Sequence, residues 1–255
     1  MIRSLYTASS GILTGQRQVD NVAHNIANIN TMGFKASRLN FKDLFYANLQ
    51  QRKNLDLENR LSNPGIQIGQ GVMPSSITKK FTQGPIITTS NPFDLAIEGQ
   101  GFFGIERDGE LLLTRHGNFH LDESGLLVNG DGYPVVGQFN GSLLNYREIN
   151  IDMDGVVTGI NGQGEREELG VIFLFNVPNP HGLAAIGDNL FSVTENSGEP
   201  NPIQSPIRQG ALEGSNVDLG EQIAFLMMSQ RALEASAKLV QTTDEMMAQA
   251  NNLRR

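Results

Sequence analysis

MIRSLYTASSGILTGQRQVDNVAHNIANIN, residues 1–30, is the stretch that decides the fold. Leu5, Ile12, Val19 and Ile26 stand seven apart, and Ala8, Gly15, Val22 and Ile29 form a second row three residues on. This 3-4 alternation puts both rows on one face of a helix and suits packing against partner helices. Gly15 lowers intrinsic helix stability but permits close backbone approach. Asn30, Thr31 and Gly33 supply a stop signal, so residues 5–29 predict a rod of about 37 Å.

The opposite end repeats the pattern. Phe225, Ala232, Leu239, Met246 and Leu253 are each seven apart, as are Leu219, Leu226, Leu233, Val240 and Met247; Met228 and Ala235 widen the stripe. The helix is expected to open at Ser215 or Asn216, with Ser215-x-x-Asp218 readable as a capping box. Residues 217–253 would reach about 55 Å, and no Pro interrupts either segment. Apolar stripes of this kind commonly pack on a chain's own core. Here both lie at the termini with β-type sequence between them, and helices this long would overhang a small β domain. Apolar surface left exposed on that scale marks an interaction surface, which favours a terminal helix pair that associates with other chains.

Between 71 and 212 the grammar changes to short strands punctuated by turns. Runs at 93–97, 102–105, 111–114, 119–121, 126–128, 135–138, 149–151, 156–160, 171–177 and 190–193 are apolar or alternating. Asp108-Gly109, His116-Gly117, Ser124-Gly125 and Asp131-Gly132 separate them, as turn pairs do. An antiparallel β domain, barrel-like or a sandwich, is expected. Residues 34–70 fit neither grammar and read as an extended connector.

Composition narrows the function. With 28 Gly and 10 Pro in 255 residues, the chain falls below the roughly 25–30% of those residues that marks low-complexity disorder. No cysteine is present, which excludes disulfides, thiolate metal sites and a cysteine nucleophile. The net charge of −8 argues against nucleic acid as the main partner. Residues 1–45 carry five basic and two acidic side chains, whereas 210–255 carry four and six. The two ends are therefore of opposite sign. No run of about 18 apolar residues offers a membrane span, and the start lacks the apolar core of a secretory signal.

Chemistry-bearing motifs are few. Gly99-Gln-Gly101-Phe-Phe-Gly104 is a formal G-x-G-x-x-G, with Asp122 where a ribose-binding acid could sit. Dinucleotide binding requires a helix N-terminus after the glycines, and the following IERDGELLLTR reads as a hairpin turning at Asp108-Gly109. His116 and His120 flank a turn, with neither Cys nor a third His to complete a site. Asp152-x-Asp154-Gly155 and Asn129-Gly-Asp131-Gly132 resemble pieces of calcium loops but lack the remaining ligands. Asp122-Glu123 and Glu167-Glu168 are adjacent pairs suited to solvent. No metal, no cofactor and no catalysis are expected. A nucleotide-dependent enzyme and a monomeric binding module or adhesin stand as alternatives to a polymer subunit.

The sequence resembles the axial rod and hook proteins of the bacterial flagellum, nearest to the distal-rod type. The matching blocks are MIRSLYTASSGI at 1–12, HNIANINTMGFK at 24–35, FKDLFY at 41–46, IQIGQGV at 66–72, DLAIEGQGFF at 94–103, TRHGNFHLDESGLLVNGDGYPVVG at 114–137, and EGSNVDLGEQIAFLMMSQRALEASAKLVQTTDEMM at 213–247. They span essentially the whole chain, in order. Leu233 departs from the pattern, since an aromatic is usual after Gln-Arg-Ala.

The resemblance implies an α+β chain: terminal helices paired as a coiled-coil-like inner layer (D0), an extended connector, and a mostly antiparallel β outer domain (D1). The implied divisions are 1–33, 34–70, 71–212 and 213–255. It also implies a passive structural subunit of the distal rod, polymerising head-to-tail into a hollow shaft that carries torque to hook and filament. A proximal rod component or hook-like protein is the near alternative. Implied partners are further copies of itself, neighbouring rod and hook proteins, ring bushings and the rod cap, and the export apparatus, with neither nucleic acid nor membrane insertion. The implied place is the basal body, crossing periplasm or cell wall, reached without a cleaved signal peptide. Leu5, Ile12, Val19, Val22, Ile26, Ile29, Phe225, Leu226, Leu233, Leu239, Val240 and Met247 are the expected interface. Asn25, Asn28, Asn216, Gln230 and Arg231 are expected to fix helix ends or register; a solvated helix face competes for the last two.

Overall fold

The computed structural model describes residues 2–48 and 67–252. Residues 49–66 of the connector expected at 34–70, together with Leu253, lie outside the described residues. The chain divides into two compact units, one made of residues 1–26, 37–78 and 218–255, the other of 27–36 and 79–217.

The first unit holds both long helices. Helix α1 spans Ile2–Ala27, and helix α2 spans Leu219–Asn252. The strands Ser37–Asp43 and Val72–Lys79 pair with each other, as do Tyr46–Asn48 and Gln67–Gly69. The helix starts and stops differ from the sequence expectation. Helix α2 opens at Leu219, with the Asp218 carboxylate accepting from the Gly220 and Glu221 amides at 2.8 and 3.3 Å. Asp218 is thus the N-cap, and Ser215 is not, because residues 215–217 belong to the other unit, with Ser215 and Val217 buried. Helix α1 ends at Ala27, and Gly33 takes the left-handed conformation at φ +70°.

The second unit is antiparallel β. Its larger sheet has six strands, in the order Ala184–Gly187, Leu190–Ser192, Glu110–Thr114, Phe102–Arg107, Leu174–Asn176 and Asn201–Ile203. A four-stranded sheet runs Gly137–Phe139, Arg166–Ile172, Val156–Ile160 and Glu148–Ile151. The apolar run at 171–177 is split between these sheets, and at the break the Phe173 amide donates to the Val136 carbonyl. One core serves both: Phe103, Ile105 and Leu112 pack in the same cluster as Val157, Leu169 and Ile172. Phe103 meets Phe119 edge-on at 5.2 Å, a geometry favoured by the ring quadrupole. A second cluster stacks Phe81, Phe102 and Phe191 edge to face.

Turn chemistry sets the registers. Asp108-Gly109 and Asp188-Asn189 close two-residue hairpins with φ positive at all four positions, as a type I′ turn requires. Four further hairpins repeat one device, an Asp or Asn followed three residues later by Gly: Asp122/Gly125, Asn129/Gly132, Asp152/Gly155 and Asn161/Gly164. In each, the Gly amide returns to the Asp or Asn carbonyl at 3.0 Å. Each of the four glycines has positive φ, which costs glycine little.

Candidate functional site

The geometry in the first unit starts with the covered side of α2. Gln222, Leu226, Ser229, Leu233, Ser236, Val240, Thr243 and Met247 follow a 3-4 spacing and are buried or half-buried. Small and large residues alternate along this seam. A Cβ placed on Gly15 would lie 3.0 Å from Leu233 Cδ2, and one on Gly11 3.1 Å from Ser236 Oγ. The glycines of α1 therefore admit α2 at close range, and larger side chains there would push the helices apart. Ser229 and Thr243 turn their hydroxyls back to the Phe225 and Leu239 carbonyls, both at 2.7 Å, so they are satisfied without a partner helix.

A polar knot fixes the register of this unit. Asn25 Nδ2 donates to the Ser37 carbonyl at 2.8 Å and to Gln222 Oε1 at 3.0 Å, while its Oδ1 accepts from the Ser37 amide at 2.9 Å. Asn21 adds a second donor to the Ser37 carbonyl at 2.9 Å. All of this is buried, so each group depends on the others for its hydrogen bonds.

The second unit carries a buried ionic cluster. Lys35 Nζ lies 2.6 Å from Glu213 Oε1 and donates to the Thr82 carbonyl at 2.8 Å. Arg115 Nη1 lies 3.1 Å from Glu213 Oε2, and its Nη2 donates to the Gly99 carbonyl at 2.8 Å. The Gly84 amide also donates to Glu213 Oε1, at 2.9 Å. Side-chain exposure is 0% for Lys35, 1% for Glu213 and 5% for Arg115. Two cations thus share one carboxylate. Burial draws the Lys35 ammonium and the Arg115 guanidinium below their ordinary ranges, opposed in both cases by attraction to Glu213. The Phe102 ring faces Arg115 at 5.4 Å, and Arg115 Nε has no partner among the described residues.

Asn216 completes the fastening. Its Oδ1 accepts from the Ala36 amide at 2.7 Å, and its Nδ2 donates to the Lys80 and Thr82 carbonyls at 2.6 and 3.0 Å. The Gly33 amide donates to the Glu213 carbonyl at 2.7 Å. Residues about 180 positions apart in sequence are thereby tied inside one β unit.

The enzyme-like motifs have structural work instead. Gly104 lies in the strand Phe102–Arg107, so no helix N-terminus follows the glycines, and a Cβ on Gly104 would meet the Phe175 ring at 2.6 Å. His116 is drawn below the ordinary histidine range by burial, against the opposing pull of Asp131 and Asp94. Among the described residues, no three His, Asp or Glu side chains converge on a metal-sized site. A cleft of about 460 Å³ is lined by residues including Thr89, Asn91, Glu148, Thr158, Arg166 and Gln209.

Comparison with known proteins matches three family models to this architecture. "Flagella basal body rod protein" covers residues 5–35, "Flagellar hook protein FlgE/F/G D1 domain" covers 96–164, and "Flagellar basal body rod FlgEFG protein C-terminal" covers 208–253. The flagellar basal-body rod protein FlgG of Borreliella burgdorferi is 38% identical over 100% of both chains. That of Buchnera aphidicola from Schizaphis graminum is 36% identical over 99% of this chain and 100% of its own. The Agrobacterium fabrum FlgG is 39% identical over 96% and 97%. The chain belongs to the FlgG family of flagellar basal-body rod proteins.

As a FlgG-family chain it is a structural protein of the flagellar basal body. The ionic cluster draws one residue from each matched segment: Lys35 from the first, Arg115 from the second and Glu213 from the third. Sequence reading missed this cluster, because its members are remote in sequence and no local pattern marks them. Of the predicted polar residues, Asn25 and Asn216 are the knots described above. Asn28 accepts from the Thr31 hydroxyl at 3.2 Å, and Gln230 and Arg231 are exposed.

The apolar residues expected at an interface between copies divide into groups. Val22 is wholly buried within its own chain. Leu5, Ile12, Val19, Ile26, Phe225, Leu226, Leu233, Val240 and Met247 are half-buried. Ile29 lies past the end of α1 and packs on Phe34, Ala36 and Val217. Leu239 is 59% exposed. Tyr6, Leu13, Met227, Met228 and Met246 are also exposed on the helices, and sequence reading did not place Tyr6, Leu13 or Met227 at an interface.

Proposed function

We propose that this chain is the distal-rod subunit of the flagellar basal body and polymerises through its terminal helices into a hollow shaft that carries torque from motor to hook. The observation supporting this is the contrast between the two units. The β unit closes over its own core and exposes scattered large apolar side chains such as Met153 and Leu144, whereas α1 and α2, after pairing with each other, keep Tyr6, Leu13, Met227, Met228, Leu239 and Met246 in solvent along two helices. An isolated chain gains nothing from that exposure; a lattice of copies removes it from water. The role is passive: close-packed helices resist deformation, and no catalytic step is assigned.

On this reading 1–26 and 218–255 belong to the inner layer, 27–36 and 79–217 to the outer cladding, and the chain between 37 and 78 adds contacts between neighbouring subunits. The polar knots hold register within each copy. Partners are neighbouring copies, adjoining rod and hook proteins, the rod cap and surrounding rings. The chain crosses the periplasm or cell wall as part of the basal body. A strain lacking the protein is expected to make a basal body without hook or filament; a fully motile deletion strain with no second copy would refute the role. A second reading, a related hook–basal-body component, has one observation in its favour. The Bacillus subtilis flagellar hook-basal body complex protein FlhP is 32% identical over 100% of both chains. Complementation of a strain lacking its own distal-rod protein separates the two.

A further inference from the structure

Asparagine is a thermolabile residue, and it is most exposed to loss of its carboxamide when glycine follows. Without a Cβ, glycine leaves its own amide nitrogen unshielded and free to turn onto the Asn side-chain carbon. The chain has three such steps, Asn129-Gly130, Asn140-Gly141 and Asn161-Gly162, all outside the strands of the β unit. They form an internal comparison. A Cβ built on any of the three glycines would meet nothing within 4 Å. None of the three glycine amides donates a backbone hydrogen bond among the described residues. The nucleophile is therefore equally open at each step.

The carboxamides differ. Asn129 Oδ1 accepts from the Asp131 and Tyr133 amides at 3.1 and 2.9 Å, and its Nδ2 donates to Asp131 Oδ2 at 3.3 Å. Asn161 Oδ1 accepts from the Gln163 and Glu165 amides at 2.9 and 3.0 Å, and its Nδ2 donates to Glu167 Oε1 at 3.1 Å. Each of these side chains ties its own turn together, so rotating the carboxamide breaks three hydrogen bonds. Asn140 is exposed, and its side chain makes no hydrogen bond among the described residues. Its backbone is held, because its amide donates to the Leu169 carbonyl at 2.7 Å just past the strand Gly137–Phe139. A freely rotating carboxamide thus hangs from a fixed backbone beside an unshielded nitrogen.

We propose that Asn140 is a self-modification site, at which the folded chain converts one carboxamide to a carboxylate. The Gly141 nitrogen attacks Asn140 Cγ. The N–Cγ bond forms, the Cγ–Nδ2 bond breaks, and Nδ2 leaves as ammonia with the proton lost from Gly141. Water then opens the resulting succinimide at either carbonyl, leaving aspartate or isoaspartate. Water is the co-reactant, and no oxidant enters. Both products add a negative charge. Isoaspartate also adds a backbone atom between the anchored strand end and Leu143, which is buried in the β core and whose amide donates to the Gly125 carbonyl at 3.1 Å. Its free α-carboxylate is an acceptor for carboxyl methylation from S-adenosylmethionine. The site is independent of the polymer reading.

The test ages the full-length folded protein at mildly alkaline pH and follows the amide-to-acid mass change peptide by peptide. Conversion at Asn140 should be about tenfold or more faster than at Asn129 or Asn161, where three hydrogen bonds must break first. In guanidinium chloride the three rates should converge. A protein-isoaspartate methyltransferase with labelled S-adenosylmethionine should mark the peptide containing residue 140. Asn129 or Asn161 reacting as fast as Asn140 in the folded protein overturns the assignment. So does an intact Asn140 in folded protein after the denatured chain has reacted, or an Asn140 advantage that is just as large in denaturant. Asn140→Gln provides a second readout. Its longer side chain must close a larger ring, so the aged variant should lose most of the methyl label. Undiminished label on Asn140→Gln would reject the site.

Discussion

Replacing Glu213 by Gln removes one negative charge from a site holding two buried cations. The shape is conserved, but Lys35 at 2.6 Å and Arg115 at 3.1 Å lose their shared counter-ion. Removing one member of a buried ion pair typically costs about 3–5 kcal/mol, because the remaining charge stays desolvated. For a unit of this size that lowers the melting temperature by about 6–20 °C. Lys35→Met should be much milder, about 1–2 kcal/mol. It leaves Arg115 and Glu213 as a neutral pair, Gly84 still donates to the carboxylate, and the Thr82 carbonyl keeps its bond from Asn216. The Lys35→Met/Glu213→Gln double variant should be no less stable than Glu213→Gln, since the second change removes an unpaired cation. Calorimetric melts of the four proteins decide the matter. Equal losses for the two single variants, or strict additivity in the double, would show that charge balance does not govern the cluster.

Other outcomes follow from the same contacts. Asn25→Ala strands the buried Ser37 amide and should cost the helical unit about 2–3 kcal/mol, read as faster amide exchange in 21–37 and 219–226. Gly15→Leu should separate α1 from α2 at a cost of about 1–3 kcal/mol, with Leu233→Ala in the same chain recovering most of the loss of helicity. Because burial holds His116 below its unfolded value of 6.5, the unfolded chain binds the proton first as pH falls. Stability should therefore decline from about pH 6.5 down to the lowered folded-state value, and His116→Gln should flatten that limb in urea titrations at pH 7.5 and 5. A fragment of residues 27–217 should fold cooperatively, whereas 71–212, lacking both Lys35 and Glu213, should show no sharp melt.

The helices were legible because heptad spacing is local: Leu226, Leu233 and Val240 announce themselves within about four turns. The two-residue hairpin at Asp108-Gly109 was equally plain, since few residue pairs tolerate positive φ at both positions. Other elements were hidden by burial on a scale the sequence does not print. Arg166–Ile172 begins with three exposed charged residues, so half of a central strand reads as loop. Ser215-x-x-Asp218 satisfies the capping-box pattern, but tertiary contacts take residues 215–217 into the β unit and leave Asp218 to cap α2. The ionic cluster has no local signature because its spacing is set by topology. Likewise, periodicity finds apolar rows on α2 but cannot tell which row the chain's own α1 covers; that depends on Gly11 and Gly15 admitting Ser236 and Leu233.

Electron microscopy of the purified full-length protein, raised stepwise in concentration, puts self-assembly through the terminal helices to the most direct test. Straight hollow filaments with α1 and α2 in the innermost density layer are the expected result. A protein that stays monomeric throughout, or filaments built on β-unit contacts with both helices outside the lattice, would contradict it.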